Sequence, residues 1–173
     1  NLCQEITLPT TPIQDIHDEQ GEIALCILSA VNVGGLNDLS ELENICDLSV
    51  RALEQIIDYQ DYPVRAAEVS TKKRRSLGIG YIGLAHYLAK NGVKYSDPKA
   101  WELVDRLSEA FQYYLLRASC DIAIEKGKCE GFERTKYADG LLPIDHYKKE
   151  VDEIVPHKQR MAWESLRKDI AKY

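Results

Sequence analysis

The chain has 173 residues, of which 45% are hydrophobic, and a formal net charge of -6. This composition supports about one folded core and excludes a disordered chain. The charge is spread over segments of mixed sign, and the basic run at residues 72–75 is too short to follow a nucleic-acid backbone. We therefore expect no nucleic-acid partner.

No apolar stretch reaches the roughly 20 residues needed to cross a bilayer. The amino end also lacks the charged-then-apolar pattern of a secretory leader. We therefore expect a cytoplasmic protein without a membrane partner. The first residue is Asn1 rather than Met, which is expected of a fragment, or of a processed or split chain.

Two strands are predicted near the amino end. Side chains alternate over residues 1–8, which is the period of a strand, and Pro9 ends this pattern. After a polar connection, residues 23–33 form an almost unbroken apolar run with β-branched residues, stopped by Gly34 and Gly35. This run predicts a buried strand.

The rest of the chain is predicted to be mainly helical. Ser40 followed by Glu43 has the form of a capping box, and apolar residues at helical spacing then predict a helix to Tyr59. A second helix is predicted over residues 79–90, and a short last one over residues 161–173. The fold class is therefore α/β and predominantly helical.

The longest predicted helix begins with Asp97 as N-cap and Pro98 in the first turn, and it ends at Gly127. At 1.5 Å per residue it would be roughly 40 Å long, more than a body of this size covers along its whole length. We therefore expect part of its apolar stripe to be exposed in this chain. The stripe comprises Trp101, Val104, Phe111, Tyr114, Leu115, Ala118 and Ile122.

The opening strand carries the residues best suited to chemistry. Residues two apart on a strand point the same way and stand roughly 6.6 Å apart, so Asn1, Cys3 and Glu5 share a face. They offer an amide, a thiol and a carboxylate to one small substrate. Alternating polar residues also suit the solvated face of an edge strand, and the pattern alone leaves both interpretations open.

Longer segments carry a resemblance. The segments at residues 1–6 (NLCQEI) and 21–26 (GEIALC) resemble the active-site finger and following strand of class I ribonucleotide reductase large subunits. Residues 79–90 (IGYIGLAHYLAK) are similar to the enzymes of T-even-like bacteriophages. Further matches, in the same order along the chain, lie at residues 59–63 (YQDYP), 75–80 (RSLGIG), 110–116 (AFQYYLL) and 142–147 (LPIDHY).

The resemblance implies a fold and roles for four residues. The chain would be a partial segment of the family's ten-stranded α/β barrel, as a single piece of the catalytic barrel domain. Cys3 would form the thiyl radical that abstracts the 3′ hydrogen of the ribose. Glu5 would take the proton of the 3′ hydroxyl, and Asn1 would hold the substrate hydroxyls. Cys26 would be one member of the redox-active dithiol pair, whose other cysteine lies outside this chain.

The resemblance also implies partners and cofactors. The family takes its radical from a di-iron small subunit, responds to ATP and dNTP effectors, and is reduced by thioredoxin or glutaredoxin. The substrate would be a ribonucleoside diphosphate, and the partners would be the remaining large-subunit segments and the small subunit. We expect these 173 residues to bind no cofactor and to be inactive alone. A phage-encoded protein would work in the host cytoplasm.

The alternative function is a helical interaction module that retains the family sequence without catalysis. It predicts that activity survives replacement of Cys3, whereas the reductase interpretation predicts loss of activity.

The remaining cysteines are interpreted as buried or incidental thiols. Cys46 and Cys120 fall in helical segments, and Cys129 lies beside a glycine turn. The five cysteines are an odd number without C-x-x-C spacing, which argues against a zinc site or a structural disulfide set.

One glycine motif imitates a dinucleotide fingerprint. The sequence Gly78-x-Gly80-x-x-Gly83 follows a charged run rather than a predicted strand, so its context does not fit nucleotide binding. We interpret these glycines as positions of close helix packing.

Overall fold

The computed structural model describes residues 7–154 and 158–173. The strand predicted at residues 1–8 therefore lies almost entirely outside the described residues. Within them the structure has two strands, five α-helices and four short 3-10 turns. In chain order the strands and α-helices are β1 (Ile27–Asn32), α1 (Glu41–Tyr59), α2 (Arg65–Arg74), β2 (Leu77–Ile82), α3 (Leu84–Lys90), α4 (Pro98–Lys126) and α5 (Trp163–Lys172).

The two strands form a parallel pair. Ile27 lies opposite Leu77 at one end, and Asn32 lies opposite Ile82 at the other. Parallel neighbours need a crossover connection, which α1 and α2 provide here. Helices α1 and α4 pack on each other and, through Leu77 and Ile79, against one face of the sheet. This arrangement confirms the α/β class and its helical dominance.

Strand β2 corrects the prediction of one helix over residues 79–90. Ile79 and Tyr81 alternate with Gly80 and Ile82, and this alternation places Ile79 and Tyr81 on the helix-covered face. Gly83 then adopts a φ of 79°, and α3 begins at the next residue. The helical part of the prediction is confined to Leu84–Lys90. Pairing with β1, a distant segment, decides the conformation of the first half.

Strand β1 is shorter and more exposed than predicted. It begins at Ile27 rather than at residue 23, and Val31 is its single buried residue. Leu25 and Leu28 are 39% and 56% exposed. The apolar run is therefore not buried on both faces. Part of it lies on a surface that the other described elements leave open.

The start of α1 differs from the predicted capping box. The Ser40 side chain makes no cap hydrogen bond, and Ser40 has helical backbone angles. Instead, Asp38 accepts a hydrogen bond from the Ser40 amide at 2.8 Å. Glu41 accepts one from the Asn37 side chain at 3.1 Å. The helix body and its end at Tyr59 agree with the prediction.

Helix α2 was not predicted, because it has no large apolar stripe. Its buried residues are Ala66, Ala67, Ser70 and Thr71, whose small side chains allow the helix to pack closely. The Thr71 hydroxyl donates to the Ala67 carbonyl at 2.7 Å, so this buried group is satisfied within the helix. The basic run at residues 72–75 is the end of α2 and the residue that follows it.

Helix α4 is one continuous element from Pro98 to Lys126, as predicted. The carboxylate of Asp97 accepts the Lys94 amide at 2.8 Å and makes no cap bond to the helix. Phe111 is buried, whereas Trp101 remains 48% exposed. The predicted stripe is therefore buried in the middle of the helix and exposed near its beginning.

Three groups of buried residues hold the helices together. The largest joins α1, α3 and α4 and contains the fully buried Leu42 and Leu107. A second places α5 on the second half of α4 through Trp163 and Leu166, which confirms the predicted last helix. A third, small group lies between α1 and α4 at Val50 and Ile122.

None of the helices in residues 7–154 and 158–173 is both long and apolar enough to span a membrane.

Candidate active site

Cys26 lies immediately before β1, on the sheet face opposite the helices. A methyl group added at Gly78 would lie 3.9 Å from the Cys26 sulfur and would overlap the Leu28 side chain. Cys26, Leu28 and Gly78 therefore share one face of the parallel pair. Leu77 and Ile79 extend to the other face, where they meet the buried residues of α1 and α4.

The face that carries Cys26 is open in the described part of the chain. Leu28 and Ile82 on this face are 56% and 57% exposed. A methyl group built at Gly80 would meet no atom within 4 Å. The exposed side chains and the open space at Gly80 therefore leave an accessible surface beside a partly buried thiol, and a substrate or another polypeptide segment could approach the sulfur there.

A cavity lies on the other side of the sheet. It has a volume of about 770 Å³ and is lined by β2 at Leu77 and Ile79, by α4 at Leu115 and Ile122, and by Arg75. Cys26 does not line it. We therefore place the candidate active site on the open sheet face and not in this cavity.

Three of the four predicted site residues, Asn1, Cys3 and Glu5, lie outside the described residues. Their shared face stays a prediction, as does the approach of Cys3 to Cys26. Cys26 is the member whose surroundings the structure describes.

The other described thiols have the surroundings of packing residues. Burial raises the pKa of Cys46 to about 12. Burial also raises the pKa of Cys120 and of Cys129. A thiol whose pKa is raised stays protonated near neutral pH and is a poor nucleophile. These surroundings agree with the interpretation of the three cysteines as structural or incidental.

A buried carboxylate close to Cys26 was missed by the sequence analysis. Glu22 is 6% exposed, and its oxygens accept hydrogen bonds from Lys73 at 2.8 Å and from Arg74 at 2.6 and 2.8 Å. The hydrogen bond from Lys73 lowers the pKa of Glu22, burial opposes it, and Arg74 lowers it further. The sequence contains a signal for this ion pair. Glu22 precedes an apolar run, where a carboxylate needs a cationic partner, and the basic run at residues 72–75 can supply one.

The backbone of Glu22 is fixed as firmly as its side chain. The Thr11 amide donates to the Glu22 carbonyl at 3.1 Å, and the Glu22 amide donates to the Thr11 carbonyl at 3.0 Å. The next amide, of Ile23, donates to the Ala66 carbonyl of α2 at 3.1 Å. Residues 9–22 connect the two predicted active-site segments, and Glu22 ties this connection to α2.

The glycine motif has a different role from the predicted helix packing. Gly78 and Gly80 lie inside β2, and Gly83 follows the strand. A side chain at Gly83 would overlap the Asn32 side chain, which places close backbone approach at the ends of the two strands. In a dinucleotide fingerprint the glycines instead follow the strand and begin a helix, so this geometry does not match one.

Among the residues that the structure describes, no group of three or more histidine, cysteine, aspartate or glutamate side chains is arranged to hold a metal ion.

Comparison with known proteins gives a consistent result. The model of the ribonucleotide reductase barrel domain matches residues 1–173. The chain is 58% identical over 173 residues to the ribonucleoside-diphosphate reductase subunit alpha of Haemophilus influenzae. That alignment covers 100% of this chain and 23% of the Haemophilus protein. It is 54% identical over 170 residues to the ribonucleoside-diphosphate reductase 1 subunit alpha of Escherichia coli K12. That alignment covers 98% of this chain and 22% of the Escherichia coli protein.

The expected likeness to a phage enzyme is confirmed, although these bacterial relatives are more similar. The subunit alpha of Enterobacteria phage T4 is 41% identical over 172 residues, which cover 98% of this chain and 22% of that protein. The chain thus spans between a fifth and a quarter of the length of these curated relatives. With a family model that matches along its whole length, the chain belongs to the ribonucleotide reductase barrel-domain family.

Proposed function

We propose that this chain is the part of a ribonucleoside-diphosphate reductase large subunit that supplies the radical-forming cysteine, Cys3, and one reducing cysteine, Cys26. The relatives that it matches are named as alpha subunits of that enzyme. The observation that carries the proposal is the position of Cys26 on an open sheet face beside Gly78.

The chemistry proposed for the first segment is hydrogen abstraction from the ribose. The Cys3 thiyl radical takes the 3′ hydrogen, so an S–H bond forms as the C–H bond breaks. Glu5 accepts the proton of the 3′ hydroxyl while the 2′ hydroxyl leaves as water, and Asn1 holds the hydroxyls by hydrogen bonds. Return of the hydrogen from Cys3 to the 3′ carbon regenerates the radical for the next turnover.

Cys26 is proposed to supply reducing equivalents. Its thiol and that of a cysteine outside this chain together give two electrons and two protons, and they end as a disulfide. The ribonucleotide thereby loses its 2′ oxygen as water and becomes a deoxyribonucleotide. An external dithiol protein, thioredoxin or glutaredoxin, would then reduce the disulfide by exchange.

The partners follow from the same proposal. The small di-iron subunit would generate the radical, the remaining large-subunit segments would complete the barrel, and ATP and dNTPs would act as effectors. The substrate would be a ribonucleoside diphosphate. A thiol pair that must be reduced in every cycle suits the reducing cytoplasm, where we place the protein.

The decisive test uses the complete large subunit with its small subunit. Cys3→Ser should abolish deoxyribonucleotide formation, whereas the matched control Cys129→Ser should keep it within about twofold, because Cys129 is a partly buried thiol away from the open face. Activity that survives in Cys3→Ser would contradict the proposal and favour the interaction module.

A further inference from the structure

We infer that Glu22, clasped by Lys73 and Arg74, is a positioning residue that sets Cys26 and the segment carrying Cys3 in register with each other. This inference rests on the proposed function. It assigns the clasp a role in the rate of the reaction.

Glu22 is paired with the part of the chain that lies between Cys3 and Cys26 in sequence. Glu22 precedes Cys26 by four residues, and its backbone is paired in both directions with Thr11, at 3.0 and 3.1 Å. Thr11 in turn follows Cys3 by eight residues. A displacement of Glu22 therefore moves the backbone of Thr11 on one arm and the residues that lead to Cys26 on the other.

The carboxylate of Glu22 is buried and is held by two cationic side chains. It is 6% exposed and accepts three hydrogen bonds of 2.6–2.8 Å from the two cations. Lys73 and Arg74 are themselves only 23% and 14% exposed. Because these cations end α2, immediately before Arg75 and β2, the clasp also joins the connection to the strand that carries Gly78.

Two further contacts hold the chain in place next to Glu22 and Lys73. A side chain at Gly21 would overlap Ile13, so the two arms of the connection touch there. The Gly131 amide donates to the Lys73 carbonyl at 2.9 Å, which holds the end of α2 from the other side. Glu22 is thus the point at which the connection, α2 and the start of β1 are joined.

Radical transfer and reduction both depend on sub-ångström placement of the sulfur atoms, so a loosened clasp should slow chemistry while substrate binding remains. The variant is Glu22→Gln, which keeps the side-chain volume and removes the charge. The matched control is Glu68→Gln. Glu68 belongs to α2, and its ion-pair partners Arg65 and Lys72 lie in the same helix.

The experiment follows a single turnover of the complete, prereduced large subunit with its small subunit and no external reductant. We expect Glu22→Gln to lower the rate about tenfold, with product per subunit unchanged and the half-saturating substrate concentration of the single-turnover rate within about twofold. Glu68→Gln should stay within about twofold of the wild-type rate. A merely structural role would instead lower the amount of product, through loss of folded enzyme, and leave the rate of the remainder unchanged.

A milder variant covers the case in which Glu22→Gln does not fold. Lys73→Met removes the hydrogen bond from Lys73 to Glu22 and leaves the two from Arg74. We therefore expect about a threefold slower rate at full product yield. The double variant should be no slower than Glu22→Gln alone, because both changes break one interaction.

The outcomes separate this inference from the proposed function. Unchanged rates in both variants would overturn the inference, and so would lost product at a normal rate or an equal slowing in Glu68→Gln. In all of these cases the wild-type subunit still forms deoxyribonucleotide. A wild-type subunit that forms none would overturn the proposed function and this inference together.

Discussion

The carboxylate of Glu109, in the middle of α4, accepts a hydrogen bond at 3.0 Å from the indole Nε1 of Trp163, the first residue of α5. The same carboxylate accepts the backbone amides of Arg160 at 2.8 Å and Met161 at 3.2 Å. Its side chain is 2% exposed. The guanidinium of Arg160 donates to it as well, at 3.2 Å, so one buried anion satisfies four donors and fixes the last helix on α4.

Glu109→Ala should loosen α5 specifically. Removal of the carboxylate leaves several buried donors unpaired, at a cost of about 3 kcal/mol, which corresponds to roughly hundredfold faster amide exchange in α5. Hydrogen exchange followed by mass spectrometry in the complete subunit measures this directly. Glu102→Ala, at an exposed position of α4, is the control and should leave α5 unchanged. Equal exchange in both variants would contradict the role of Glu109.

The same carboxylate predicts a pH dependence. Burial raises the pKa of Glu109, but the hydrogen bonds from Arg160, Trp163 and Met161 outweigh it, so the pKa lies below its usual 4.5. A lowered pKa in the folded state gives stability that is present above pH 4.5 and is lost as the pH falls through the folded-state pKa. Amide protection in α5 should therefore decrease as the pH falls below 4.5 in the wild type. In Glu109→Gln this acid-dependent component should be absent.

Arg75 combines a left-handed backbone with two ion pairs. Its φ is 49°, and its guanidinium contacts Asp58 at 2.8 Å and Glu54 at 2.6 Å. Arg75→Ala and Arg75→Gly both lose the ion pairs, but only Arg75→Ala keeps the strain of a left-handed backbone. We expect the glycine variant to be more stable than the alanine variant by about 1 kcal/mol, measured by urea denaturation. An alanine variant of equal or greater stability would contradict this assignment of strain.

Two glycines with positive φ provide a matched comparison. Gly83 has a φ of 79° and approaches the Asn32 side chain, whereas Gly92 has a φ of 66° and open space around it. Both alanine variants incur the backbone cost, but only Gly83→Ala also displaces a neighbour. We expect Gly83→Ala to be less stable than Gly92→Ala by roughly 1–3 kcal/mol in thermal unfolding. Equal losses would show that the strand ends are not closely packed at Asn32.

Local signals account for the parts of the fold that the sequence predicted. Helix α4 begins at Pro98 and ends before Gly127, and its apolar residues recur between these signals. The end of α1 and the existence of α5 follow from the same kind of periodicity. Each of these elements is specified by residues within a few turns of one another.

The parts that were missed depend on distant partners. The local sequence predicts a helix from residue 79 because Gly78 and Gly80 hide the alternation of β2, and the pairing of β2 with β1 is not a local property. Helix α2 buries only small residues. The Glu22 clasp joins residues 51 and 52 positions apart, so no local pattern displays it.

Cys26 is identified through family resemblance, and the roles of Asn1, Cys3 and Glu5 stay predictions.

The most direct test of the central claim separates hydrogen abstraction at Cys3 from reduction at Cys26. In the complete subunit with its small subunit and thioredoxin, Cys26→Ser should stop repeated turnover yet still release the 3′ hydrogen of labelled substrate, and Cys3→Ser should abolish both. Sustained thioredoxin-driven formation of deoxyribonucleotide by Cys26→Ser, or release of the 3′ label by Cys3→Ser, would contradict the account.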